Sequence, residues 1–250
     1  MLASLWFAVA LAAPLDDVRE AVGGDAWINW TTLEVEVRGA ALPSGVDSSR
    51  KVVETTARRP LGGKIERAAE EVRVQGTLTV ADLSEDPEDG AVLAKRIARW
   101  AESEARYYAS GRVEIVAALS ITDVLKPWSL HQTKPSPTKE EGAYTGWVID
   151  ARGTGALPVF APEVVAPDGE SLYEGMVWSD APPETTAVIY VWDAAHPAAA
   201  RAGEHPMFSR VISVQGGEWT LDEASAAAVR ASIQNARLLG MGRVVVVIDP

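Results

Sequence analysis

Arg112-Val113-Glu114-Ile115-Val116-Ala117-Ala118-Leu119-Ser120-Ile121 is the stretch that decides the fold. Val113, Ile115, Ala117, Leu119 and Ile121 alternate strictly, which places one apolar row on one face of an extended chain. Such a strand faces a core on one side and needs a neighbour for its backbone. The residues just before it can supply one by pairing back across Ser110-Gly111. Val92, Arg96 or Ile97, Trp100 and Ala105 also fit a helical stripe. The reading is therefore a helix to about Ile97, then a hairpin of roughly 100–108 with 112–121.

Towards the N-terminus, Ser84-Glu85-Asp86-Pro87-Glu88-Asp89-Gly90 is a polar turn able to cap that helix. Gln75 to Leu83 alternates, with Leu78 and Val80 on one face of an expected strand. Val53, Ala57, Leu61, Ile65, Ala68 and Val72 recur at steps of three and four, the stripe of an amphipathic helix capped by Asp47 or Ser48. Pro60 falls inside the stripe and has no N–H to give its turn, so a kink or a fresh helix start is expected there. Before it, Leu33, Val35 and Val37 alternate with charged residues in a half-buried strand that Gly39 closes.

Towards the C-terminus, residues 131–142 are rich in Pro, Thr, Lys and Glu and read as a linker. Beyond them, Pro167-Asp168-Gly169 is a turn between two strand-like runs. Ala187 to Trp192 and Phe208 to Gln215 read as strands, and Pro197 to Gly203 as one or two helical turns. Leu221-Asp222-Glu223 opens an alanine-rich helix to about Leu238. Val244-Val245-Val246-Val247-Ile248 is apolar without alternation, as expected of a central strand buried on both faces. The expected fold class is α+β in two small modules. A strand-helix-hairpin domain covers 27–130, and a mixed-sheet domain with a terminal helix and strand covers 143–250. Residues 13–26 are a lead.

Of the 250 residues, 47% are apolar and 23% charged, a balance that excludes a wholly disordered protein. The formal charge of −12 argues against nucleic acid as a partner, since binding a polyanion needs a basic face. The acidity is uneven. Residues 143–250 hold 13 acids against six arginines and no lysine, whereas 27–142 hold 18 acids and 16 bases. Cysteine is absent, which excludes disulfides, thiolate metal sites, a cysteine nucleophile and a lipid anchor through cysteine. Residues 1–12 form a short apolar run ending in Ala10-Leu11-Ala12, the pattern of a cleavable signal peptide. The expected location is the periplasm or the cell surface.

Tyr144-Thr145-Gly146-Trp147-Val148-Ile149-Asp150-Ala151-Arg152-Gly153, followed by an Ala-Pro-Glu-Val strand, an Asp-Gly turn and a terminal Val-Val-Val-Val-Ile-Asp, resembles the C-terminal part of bacterial envelope proteins of the flagellar basal-disk lipoprotein kind (FlgP-like). The first half is similar as well, with a strand, a long helix, a hairpin and a Pro-containing linker. The resemblance implies a structural component of outer-membrane-associated rings, with no enzyme activity. It marks Tyr144, Thr145, Gly146, Asp150, Arg152 and Gly153 as structural or assembly residues. This chain differs in lacking the lipobox cysteine and in the Pro60 break.

Chemistry-bearing patterns are sparse. His131, His196 and His205 lie in a linker and in Pro-flanked loops, and no Gly-x-Ser-x-Gly elbow accompanies them. Asp193, His196 and His205 have loose spacing for a metal, and none is expected. Asp150 and Arg152 fall on one face if extended, which suits an ion pair pinning a turn. Nine tryptophans against three phenylalanines are unusual, and Trp178 and Trp219, beside polar turn residues, are the candidates for stacking on a ligand. The expected function is a non-enzymatic exported protein without cofactor that self-associates and meets other envelope proteins, with peripheral outer-membrane or peptidoglycan contact. A flagellar ring is one form of it. The alternatives are a glycan- or peptidoglycan-binding module and an Asp/Glu-dependent hydrolase.

Overall fold

The alternating row Val113, Ile115, Ala117 and Leu119 is buried, each residue at most 3% exposed. The computed structural model describes residues 16–45, 49–128, 131–132, 144–175, 177–178, 185–232 and 241–250, without the side chains of 131, 132, 177, 178 and 232. The N-terminal part contains β1 (Arg19–Gly23), β2 (Ala26–Asn29), β3 (Glu34–Ala41), α1 (Arg50–Arg58), α2 (Leu61–Glu70), β4 (Arg73–Gln75), β5 (Leu78–Thr79), α3 (Val80–Leu83), α4 (Pro87–Ile97), β6 (Ala101–Tyr107), β7 (Val113–Ser120) and α5 (Ile121–Leu125). After the short β8 (His131–Gln132) come β9 (Trp147–Asp150), β10 (Glu163–Val165), β11 (Ser171–Glu174), β12 (Val177–Trp178), β13 (Val188–Val191), a 3₁₀ turn (Pro197–Ala202), β14 (Met207–Gln215), β15 (Glu218–Leu221), α6 (Glu223–Ser232) and β16 (Val244–Val247). The class is α+β. The signal segment, Asp47 and Ser48, most of the linker and the end of the alanine-rich helix lie outside the described residues.

The first sheet is antiparallel, in the order β1-β2-β3-β7-β6. One face is covered by α1 and α2, which bury Val53, Ala57, Leu61, Ile65 and Ala68 against it. Pro60 stands between the two helices and starts the second, because a proline fits the entry of a helix and not its interior. Asp86 caps α4 by accepting from the Glu88 and Asp89 N–H groups, with Pro87 in the first position. That cap fixes the rotation of the helix, so Leu93 and Ile97 turn inward while Val92 is 41% exposed. The hairpin of β6 with β7 follows where the sequence places it.

Two expectations change. Gln75 to Leu83 is not one strand: β4 and β5 form a tight hairpin, and Val80 starts α3. Thr79 and Asp82 close a reciprocal capping box, which satisfies two backbone donors locally and ends the extended run. Leu78 is exposed and Val80 buried, so they do not share a face. The expected lead also contains structure, since Arg19–Gly23 is an edge strand of the first sheet and Asp17 bridges to Val191.

The second sheet is mixed and seven-stranded, in the order β11-β10-β15-β14-β9-β16-β13. Strands β14, β9, β16 and β13 run parallel. The Val244–Val247 run lies between β9 and β13 and is buried on both faces. The two modules do not pack separately. The Trp30 ring meets Tyr190 edge-on at 5.9 Å, and Tyr190 meets Trp219 at 6.2 Å. The Phe160 and Ala161 N–H groups donate to the Arg73 and Val74 carbonyls, and the Thr31 hydroxyl donates to the Tyr190 carbonyl. A single apolar core runs through both sheets, because Trp30, Thr31, Arg73 and Val74 find aromatic or backbone partners across the seam.

Candidate functional site

The motif at 144–153 begins where β9 enters the sheet. The Thr145 hydroxyl donates to the Ala202 carbonyl and accepts from the His205 N–H, each at 2.9 Å, tying the strand to the 3₁₀ turn. A Cβ on Gly146 would lie 2.4 Å from the Ala202 oxygen and 2.7 Å from the Arg243 oxygen. Only glycine lets the three backbone segments meet this closely. Trp147 is fully buried, donates its indole N–H to the Ser209 hydroxyl at 2.9 Å and packs edge-on against Tyr173. Tyr144 is partly exposed at the start.

The other half lies at the carboxyl end of β9. Asp150 grips Arg152 with both oxygens, at 2.8 Å to Nε and 2.7 Å to the terminal nitrogen, and also accepts the Arg152 backbone N–H. These bonds hold the Asp150 carboxyl below the usual carboxylate range, the Arg152 side chain contributing most. Gly153 has a φ of 80° and donates its N–H to Asp249 at 2.7 Å, linking the turn after β9 to the residues after β16. The polar groups of Thr145, Asp150, Arg152 and Gly153 therefore bond inside the module. Their arrangement can fix the ends of a central strand.

Residues 146–250, which contain the whole seven-stranded sheet, match the family model for Treponema pallidum Tp0624, second domain. The module is similar to that treponemal domain. No curated protein matches the chain. The match to the treponemal domain begins inside the motif at Gly146, the residue whose missing side chain admits the 3₁₀ turn and Arg243 at the entry to β16.

Trp219 is not a stacking platform. It is 1% exposed, its ring meets Tyr190 edge-on, and it forms part of the wall of a cleft along the seam. The polar turn beside it misleads, because β15 returns from that turn directly into the core. The backbone of Trp178 lies in β12, paired with β8, and its side chain is outside the described residues. Trp30 and Trp147 are core residues, and Trp100, Trp128 and Trp192 pack partly buried against it.

His196 is buried. Its Nδ1 accepts the Ala198 N–H, and its Nε2 lies 3.4 Å from Asp17. His205 is exposed. Among the described residues, no group of three or more His, Asp or Glu side chains is placed to hold a metal ion. A cleft of about 420 Å³ opens along the seam between the β4–β5 turn, residues 155–159 and the β14–β15 turn, and its lining holds one carboxylate, Glu71. A smaller groove of about 260 Å³ lies at the far end of the β6–β7 hairpin, where Tyr107 and Tyr108 are exposed beside Arg50 and Arg112. Sequence reasoning missed this groove. Its visible signal was Arg106-Tyr107-Tyr108 ahead of a Gly turn and Arg112, two aromatic residues where a turn is usually small and polar.

Proposed function

We propose that this chain is an exported, non-enzymatic component of a bacterial envelope that works by contact with copies of itself and with neighbouring envelope proteins. The observation that carries the reading is on β14. Phe208, Arg210 and Ile212 lie on one face of that strand, and Phe208 is 66% and Ile212 55% exposed. β14 is hydrogen-bonded to β15 on one side and β9 on the other, so it offers a face and not an edge. Large apolar side chains left bare within a sheet are the usual composition of a contact surface. Arg210 between them adds a charge that suits the acidic surface of this same module.

The FlgP-like resemblance supports an envelope setting and a ring as the form of assembly. The inward bonding of the 144–153 motif supports a structural role for it. Sedimentation velocity on the full chain tests the reading. Dimers or larger species should build up with concentration, and Phe208→Ser combined with Ile212→Ser should abolish them while leaving the circular dichroism spectrum unchanged. A wild-type protein that stays monomeric at the highest attainable concentration, with no envelope protein cross-linked to it in cells, sinks it.

A further inference from the structure

We infer that the groove at the end of the β6–β7 hairpin is a binding site for a sugar ring that carries a carboxylate. Its lining includes Pro43, Arg50, Tyr107, Tyr108, Arg112 and Val113, and no acidic residue. The Arg50 guanidinium lies 3.6 Å from the centre of the Tyr107 ring, and that of Arg112 lies 5.6 Å from the centre of Tyr108. Each arginine is held from one side by a carboxylate. Glu54 takes Arg50 Nε at 3.1 Å, and the buried Glu114 takes a terminal nitrogen of Arg112 at 2.5 Å. Glu114 also accepts the Tyr108 hydroxyl at 2.5 Å, so the hairpin end is braced from behind.

A guanidinium has five N–H donors in a fixed fork, and these contacts leave most of them free on both arginines. Each arginine is already paired with a glutamate, so the groove would draw a carboxylate through the remaining N–H donors of Arg50 and Arg112 and not through net positive charge. The tyrosines, 46% and 42% exposed, add flat apolar surface with polar edges, which matches the C–H face and hydroxyls of a pyranose. The space of about 260 Å³ falls just below the range of pockets for drug-sized ligands, so it suits one ring and not a length of peptide. The site lies on the first sheet and shares no residue with the Phe208 face of the second, so it does not rest on the proposed assembly.

The test is an amide NMR titration of the full chain with D-glucuronic acid, with D-glucose and an acidic hexapeptide as comparisons. Glucuronate should give saturable shifts confined to residues near 50–53 and 107–113, and glucose should give none. Arg50→Gln and Arg112→Gln should each weaken glucuronate binding about tenfold, the loss expected for one charge-assisted hydrogen bond. Arg50 is on the surface, so its variant keeps the fold and the comparison sound. No saturable shift with glucuronate, equal response to glucose, wild-type affinity in both variants, or tighter binding of the peptide would each overturn the assignment.

Discussion

The Tyr190 hydroxyl donates to the Val159 carbonyl at 2.8 Å and accepts the Val159 N–H at 3.0 Å. One side chain thus satisfies both backbone groups of a buried residue whose neighbours Pro158 and Phe160 bond Arg73 across the seam. Burial raises the Tyr190 phenol far above its ordinary range, so it remains neutral and keeps both roles across the accessible pH range. With its ring edge-on to Trp30 and Trp219, Tyr190 connects the two sheets.

Tyr190→Phe keeps the ring contacts and removes both hydrogen bonds. The cost should be about 2 kcal/mol, because the buried Val159 N–H and carbonyl lose their partner together. Urea unfolding followed by tryptophan fluorescence and by circular dichroism measures it. The two probes should still coincide, as expected of a shared core. A variant as stable as wild type would show that Val159 finds other partners.

Arg73 joins the sheets with charge. Its Nη1 donates to Glu20 at 2.8 Å, its second terminal nitrogen to the other Glu20 oxygen at 2.5 Å, and its Nε to the Pro158 carbonyl at 2.7 Å. Burial alone would raise the Glu20 carboxyl, but the hydrogen bonds from Arg73 and the Trp30 indole outweigh it and hold the group below its ordinary value. A carboxyl with a folded pKa below its unfolded value of about 4.3 contributes stability that is complete above that value. The contribution is lost as pH falls through the folded pKa. Glu20→Gln should therefore be less stable than wild type at neutral pH, and the gap should close on acidification below about pH 4. Urea midpoints for the two proteins across that range decide it, and a gap that widens in acid contradicts the assignment.

Gly146 and Gly153 belong to one motif for different reasons, and alanine separates them. At Gly146 a Cβ collides with two backbone oxygens, so Gly146→Ala must push the 3₁₀ turn or the strand away and should cost several kcal/mol. At Gly153 a Cβ meets nothing within 4 Å, and only the φ of 80° resists. Gly153→Ala should cost about 1–2 kcal/mol, the strain of a left-handed residue. Thermal melts of both variants test the order, and equal losses would mean that the close approach relaxes freely.

The parts legible in the sequence were those fixed by local pattern. The row from Val113 to Leu119, the stripe broken at Pro60, the polar turn at 84–90 ahead of α4 and the all-valine strand each carry their period or punctuation in consecutive residues. The phase of α4 was missed because Val92 and Leu93 are equally apolar, and only the cap position chooses between them. The seam was not legible, since the contacts that close it join residues far apart in the chain, Trp30 with Tyr190 and Arg73 with Pro158, and no period connects them. In the 144–153 motif, the Asp150–Arg152 pair follows from spacing alone, while the role of Gly146 depends on Ala202 and Arg243 arriving from elsewhere in the chain.

Trp219 separates packing from recognition. Its ring is buried beside Tyr190, so Trp219→Ala should open a cavity at the seam and cost about 3–5 kcal/mol. If the wild-type chain is retained on purified cell wall, any loss of retention in that variant would then follow its unfolding, and retention measured well below its melting temperature should match wild type. Trp219→Phe fills most of the space and should recover much of the stability, with retention unchanged at every temperature where it is folded. A Trp219→Ala protein that melts with wild-type cooperativity and midpoint but no longer binds cell wall would place the indole at the surface, against the edge-on packing seen here.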